Sequence, residues 1–319
     1  METPAPKPYN LPAEAVWFIT GCSSGIGLAL AQHIATKTPS QRVVATARNL
    51  ASLSPSTSGL PDHPNVLKLA LDVTSPASIE AAFEAALQRF RRVDVVVNNA
   101  GYNLTGDAEA SPRGNAEARR LLDTNFWGAV DVTKQALAVF RDANANPASG
   151  GRRGGVVVNV TSMGGFLGSP GSAFYHASKF ALEGFAESVA KELPPDWNIH
   201  VVNVEPGGVR TNYATSSLRR MPRHPAYAAD PEGATNAMLA FMEDEAAHEA
   251  FARPAEVAEA VYRVVGSGRR IPIRVPLGRD SWGMVMKEVE RVKEDLLEFR
   301  DISCAMGDLK LEDMARLVK

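Results

Sequence analysis

Short and almost wholly apolar runs recur along this chain, and between them lie stretches whose apolar residues repeat every three or four positions. Residues 16–19, 42–47, 66–73, 93–97, 156–160, 199–204 and 271–275 are dense in Val, Ile and Leu and lack the alternation of a half-exposed sheet. That is the pattern of parallel strands buried on both faces. After the first run, Leu28, Ala29, Leu30 and Ile34 begin a helix. Ser75-Pro76 opens another, with Ser as cap and Pro in the first turn, and Ile79, Phe83, Leu87 and Phe90 make its single apolar stripe. Residues 116–140 read as a long helical region, 175–193 as a helix stopped by Pro194-Pro195, and 254–265 and 280–300 as the last two. Strand alternating with helix predicts an α/β fold with a doubly wound parallel sheet.

Four stretches break the alternation. Residues 1–13 contain Pro4, Pro6, Pro8 and Pro12 and read as a flexible leader, leaving 14–319 as one domain without internal repeat or linker. Residues 51–64, with Pro55, Gly59, Pro61 and Pro64, read as a surface insertion, and the Asn-, Gly- and Arg-rich residues 144–155 as an exposed loop. Residues 211–253 carry methionines, aromatics and Glu243-Asp244-Glu245 with weak periodicity. An irregular excursion at the carboxyl end of a strand is where a substrate lid belongs, the alternative being a solvated insertion. In the final helix Trp282, Val285, Val289, Val292, Leu296 and Phe299 form a narrow seam, suited to packing on its own domain or on a second subunit, with the first preferred.

Composition narrows the function classes. The 319 residues are 45% hydrophobic and 22% charged with net charge −2, which argues against a nucleic-acid partner. Cys22 and Cys304 have neither metal nor disulfide spacing, and no pair of histidines has metal spacing, so no metal site is expected. No apolar run has signal-peptide or membrane-spanning character, and the expectation is a soluble, cytoplasmic protein. The sequons at Asn103 and Asn159 then read as chance.

The first strand runs into Thr20-Gly21-Cys22-Ser23-Ser24-Gly25-Ile26-Gly27. Glycines at such a turn let the backbone approach a ligand, while the next helix aims free N–H groups at it, a cradle for pyrophosphate. The same letters spell Gly-x-Ser-x-Gly, the nucleophile elbow of a hydrolase, but none of His33, His63, His176, His200, His224 or His248 stands out as its base. Further on, Tyr175 and Lys179 lie four apart, on one helix face, after a strand that ends at Ser162. An ammonium beside a phenol favours the phenolate and would lower its pKa toward the range useful for proton transfer.

The order of glycine turn, Asn98-Asn99-Ala100-Gly101, Asn125, Ser162 and Tyr-x-x-x-Lys resembles the short-chain dehydrogenase/reductase family, single-domain type, over about residues 16–211. The resemblance implies a Rossmann-type three-layer sandwich and a catalytic tetrad of Asn125, Ser162, Tyr175 and Lys179. It assigns cofactor contacts to Thr20, Gly21, Ser23, Ser24, Gly25, Ile26, Gly27, Asp72, Val73, Asn99, Gly101, Tyr175, Lys179, Pro206, Gly207, Val209 and Thr211. It also gives Asn125 a water that links Lys179 to solvent. The second strand ends in Arg48 with no acid, which points to NADP(H) over NAD, Arg48 pairing the 2′-phosphate. The glycine loop is similar to that of hydroxysteroid and retinol dehydrogenase-like members. The implied reaction is hydride transfer between NADPH and a ketone, aldehyde or secondary alcohol on a hydrophobic substrate such as a lipid, steroid or polyketide. A non-catalytic NADP-binding sensor or scaffold, and an isomerase or dehydratase of the same fold, are the alternatives.

Overall fold

The computed structural model describes residues 8–211, 218–307, 309, 310, 312 and 314. The strands are β1 (Val16–Ile19), β2 (Arg42–Ala47), β3 (Val66–Ala70), β4 (Val95–Asn98), β5 (Asn103–Thr105), β6 (Gly155–Val160), β7 (Ile199–Pro206), β8 (Leu218–Arg220) and β9 (Arg274–Leu277). Seven of them form one parallel sheet in the order β3-β2-β1-β4-β6-β7-β9, while β5 and β8 pair separately. The main helices are α1 (Gly25–Lys37), α2 (Pro76–Phe90), α3 (Ala116–Leu122), α4 (Gly128–Ala138), α5 (Ala173–Glu192), α6 (Ala234–Glu243), α7 (Pro254–Gly266) and α8 (Arg279–Glu298). The doubly wound sheet expected from the sequence is therefore present.

Strand β1 explains the unbroken apolar runs. Its Val16 and Phe18 enter the layer that holds Phe83 and Phe140, whereas Trp17 and Ile19 enter the opposite layer with Leu30, Ile34 and Val261. Phe18 stacks on Phe83 with ring centroids 4.3 Å apart. Burying each such side chain contributes about 1.5–3 kcal/mol, so both faces of the strand need apolar residues. The register is pinned by polar groups inside this core. Asn98, Asn159 and Asn203 stand opposite one another on β4, β6 and β7, and their amides bond in series at 2.9 and 3.0 Å. A one-residue slip would break the series and bury amides without partners.

Several expectations are corrected. Tyr9 is buried, packs edge-on against His200 and donates its N–H to the Arg269 carbonyl, so the leader expected over residues 1–13 is anchored to the domain at Tyr9. Residues 1–7 lie outside the described residues. Within 51–64, Leu53 and Leu60 are buried and Gln32 bonds the Ser58 carbonyl, which sews this segment onto α1. The helical region 116–140 is interrupted by a π-turn at Asp123–Trp127. Strand β9 starts at Arg274 because Pro272 has no N–H for the ladder. Of the seam, only Val285 is buried, while Trp282, Val289, Val292, Leu296 and Phe299 are exposed, so the preferred packing on its own domain does not occur. Both sequon asparagines are buried, which suits their reading as chance.

Candidate active site

The glycine turn is held from below by Thr20 and Asn99. Thr20 Oγ1 donates to the Val97 carbonyl and accepts the N–H groups of Asn99 and Ala100 at 2.9 and 3.0 Å. The Asn99 amide donates to the Thr20 and Gly21 carbonyls at 2.9 and 3.0 Å. Gly21 has φ +71° and a Cβ there would sit 2.9 Å from Ala100 Cα; one on Gly27 would collide with the Asn99 amide and the Gly21 carbonyl. The turn thus closes only with glycine. Ser24 caps α1 without a side-chain bond, and no acidic residue occupies the first turn. The electropositive helix end is left for an anion. Ser23 is exposed, Ile26 packs on the core, and Thr211 lies over Gly25. Cys22 is buried with its thiol on the Ile19 carbonyl, and burial pushes that thiol up to about 12. It is an inert filler, not a nucleophile.

Beside the turn, Arg48 stands exposed at the end of β2, close enough to Asp72 to help hold that carboxyl below its usual range, after the stronger bond from the Thr74 N–H. Val73 is buried against Gly128. Across the site, Gly207 donates its N–H to Leu277, Gly208 donates to Asp280 Oδ2 at 2.7 Å, and Val209 bridges to Ala252. Asp280 also fills the space a Gly207 side chain would need, and Ser281 bonds the Glu205 carbonyl at 2.6 Å. The first turn of α8 therefore clamps the Pro206-Gly207 segment. Nothing in the strand-and-helix periodicity marked Asp280 or Ser281 for this.

Helix α5 carries Tyr175 and Lys179. The Tyr175 phenol is hydrogen-bonded to Ser162, and the Lys179 ammonium lies 5.7 Å from the Tyr175 ring centroid. Lys179 is buried and donates to the Val160 carbonyl at 2.9 Å. Burial lowers it to about 8, opposed by the charge of Glu183. Burial also raises the Tyr175 phenol, the Ser162 bond acting the other way. Burial therefore outweighs any lowering of the phenol of the kind expected from the spacing, while the Lys179 ammonium is turned to the Val160 carbonyl.

Asn125, placed by the π-turn, accepts from the Tyr102 N–H and donates to the Tyr102 carbonyl and Ser178 Oγ. It ties the loop after β4 to α5, and with Lys179 Nζ it faces the missing side chain of Gly101. Asn99 and Gly101 thus join the glycine turn to the Tyr175–Lys179 face within three residues. His176 bonds Gly164 and Ser169 through its two ring nitrogens, and burial lowers its pKa, so it is a neutral strut for the loop after Ser162.

Behind Lys179 lies a group the sequence reading missed. Glu183, one turn on, and Glu205 on β7 are buried and face each other, with Arg274 Nε 2.9 Å from Glu183 and 3.8 Å from Glu205. Burial raises both carboxyls, and for Glu205 the neighbouring Glu183 charge raises it further. Arg274 also pairs with Glu187 at 2.9 Å, and one guanidinium shared by three carboxyls leaves Glu205, the farthest from it, to hold a proton toward Glu183. Only the distance between residues 183, 205 and 274 in the chain hid this cluster. No group of metal-binding type, and no helix long and apolar enough to cross a membrane, occurs among the described residues.

Comparison with known proteins agrees with this geometry. The family model described as short chain dehydrogenase matches residues 15–222. The chain is 43% identical over 300 residues to "Oxidoreductase calM" of Penicillium decumbens, covering 93% of this chain and 94% of that one. It is 35% identical to "Retinol dehydrogenase 8" of Bos taurus over 262 residues, covering 79% and 78%. A solved short-chain dehydrogenase from Streptomyces avermitilis superposes with TM-score 0.75 at 30% identity, covering 91% of this chain and 98% of that one.

Proposed function

The chain belongs to the short chain dehydrogenase family, and we propose that it is an NADP(H)-dependent oxidoreductase that reduces a ketone or aldehyde on a hydrophobic substrate, or runs the reverse reaction. The observation that carries this reading is the meeting of Ser162, Tyr175 and Lys179 on one side of the Asn99–Gly101 loop and the glycine turn at Gly21–Gly27 on the other. The residues fit a dinucleotide. Gly21, Gly25 and Gly27 with the start of α1, Ser23, Ser24 and Ile26 would cradle its pyrophosphate, and Thr211 would close over it. Asp72, Val73 and Asn99 would border the adenosine, Arg48 would pair with a 2′-phosphate, and Pro206, Gly207 and Val209 would line the nicotinamide end.

When bound, the cofactor supplies the hydride. The chain's own groups handle the charge that grows on the substrate oxygen. Tyr175, held protonated by burial, donates its proton to that oxygen, and Ser162 hydrogen-bonds it. Lys179 then faces a phenolate, and its ammonium stabilises the anion it could not stabilise at rest. A phenol that keeps its proton favours carbonyl reduction near neutral pH. Tyr102, Phe174 and Tyr175 pack against Leu104, Leu121 and Met221, which supports an apolar substrate, as does the likeness to a retinol dehydrogenase. Residues 218–253 supply the described part of the lid, anchored by β8 on β5 and by Arg223 on Asp107 at 2.6 Å; residues 212–217 lie outside the described residues. The two unpaired cysteines suit a reducing, cytoplasmic location.

The test is a panel of ketones and aldehydes, from small to steroid-sized, assayed for oxidation of NADPH and of NADH. The expected result is turnover of large apolar carbonyls with NADPH preferred. Tight NADPH binding with no oxidation by any member would favour a sensor instead.

A further inference from the structure

Among the described residues only the first two turns of α8 touch the domain, and from Lys287 the helix projects with an exposed apolar seam. Beyond the buried Val285, the residues Val289, Val292 and Leu296 are spaced three and four apart, the a, d and a positions of a heptad repeat, and Phe299 caps the end of the helix. Leu296 is 65% exposed and Phe299 52%, with Ile302 and Met306 exposed beyond them. Among the described residues nothing covers this seam, and an uncovered helix draws no packing energy from it, so it needs a cover.

We infer that this seam pairs two copies of the chain through a parallel coiled coil. The flanking charges carry the choice. Within the helix Glu288 and Asp295 fall at g positions and Lys293 at an e position. In a parallel pair a g residue meets the e residue five positions on in the other copy, so Glu288 meets Lys293, twice over by symmetry. An antiparallel pair would set acid against acid and base against base. Within one copy Glu288 bonds Arg291 and Lys293 lies 3.5 Å from Glu290, exposed pairs of low strength that can exchange or share partners. Residues 287–301 carry six acidic side chains against four basic, which disfavours an anionic membrane as the cover.

Light scattering on the full chain should give twice 34.2 kDa at high concentration, dissociating on dilution. Leu296→Glu should give the monomer with NADPH affinity unchanged. Glu288→Lys and Lys293→Glu should each be monomeric alone and pair when mixed, because only the mixed dimer restores both charge contacts. In a Cys304→Ser background, Leu296→Cys should form a disulfide-linked dimer on oxidation, which a parallel a position permits. A wild-type monomer, a dimer that survives Leu296→Glu, or variants that stay apart when mixed would overturn the proposal. So would a monomer that floats with zwitterionic or anionic vesicles and loses flotation in Leu296→Glu, since lipid would then be the cover.

Discussion

The Lys179 ammonium lies 5.7 Å from the Tyr175 ring centroid, yet its hydrogen bond goes to the Val160 carbonyl. Burial lowers Lys179 to about 8, so the cation is lost at a pH where an ordinary lysine keeps it. If the ammonium is needed to hold the cofactor and to meet a phenolate, kcat/KM for NADPH falls as pH rises through about 8. That parameter reports the free enzyme, the state described here. A profile flat to pH 10 would remove Lys179 from this role.

Arg48 is exposed at the end of β2 with no carboxylate beside it on that strand. A charge-assisted contact to a 2′-phosphate contributes about 1.5–3 kcal/mol, so Arg48→Asp should weaken NADPH binding about 10- to 100-fold and leave NADH binding unharmed or improved. Fluorescence titration with both cofactors measures this directly. Equal losses for the two would mean that Arg48 does not read the phosphate.

The Glu205 carboxyl gives a stability prediction with a definite sign. Burial, then Glu183, raise it from an ordinary 4.5 to about 8. Between those values the unfolded chain releases a proton that the folded chain keeps, so this residue's contribution declines as pH rises across the interval and is gone above about 8. Glutamine at this position donates in the same place and does not titrate. Across pH 5 to 9 the Tm of wild type should therefore fall relative to that of Glu205→Gln. Parallel curves would show that Glu205 is ionised in the folded state.

The fold was legible because buried parallel strands demand unbroken apolar runs, and β6 and β7 are read to within two residues at each end. The glycine turn and the Tyr175–Lys179 face were legible because each is local in sequence. What escaped was non-local. The Asn98–Asn159–Asn203 series, the Glu183–Glu205–Arg274 cluster and the Asp280 clamp each join residues more than twenty positions apart, which only the sheet order brings together. The phenol's direction of shift escaped for another reason: spacing places a lysine beside a tyrosine but does not say how much water either one loses.

The central claim is that Tyr175 gives the proton while the glycine turn holds the reagent. The most direct test is Tyr175→Phe, compared with wild type in single-turnover oxidation of bound NADPH by a carbonyl substrate found in the panel. Loss of a general acid costs about 10²- to 10⁴-fold. The account predicts a rate lowered by at least about 100-fold with NADPH affinity unchanged, because only the acid is removed. A Phe variant that oxidises NADPH at the wild-type rate would contradict it.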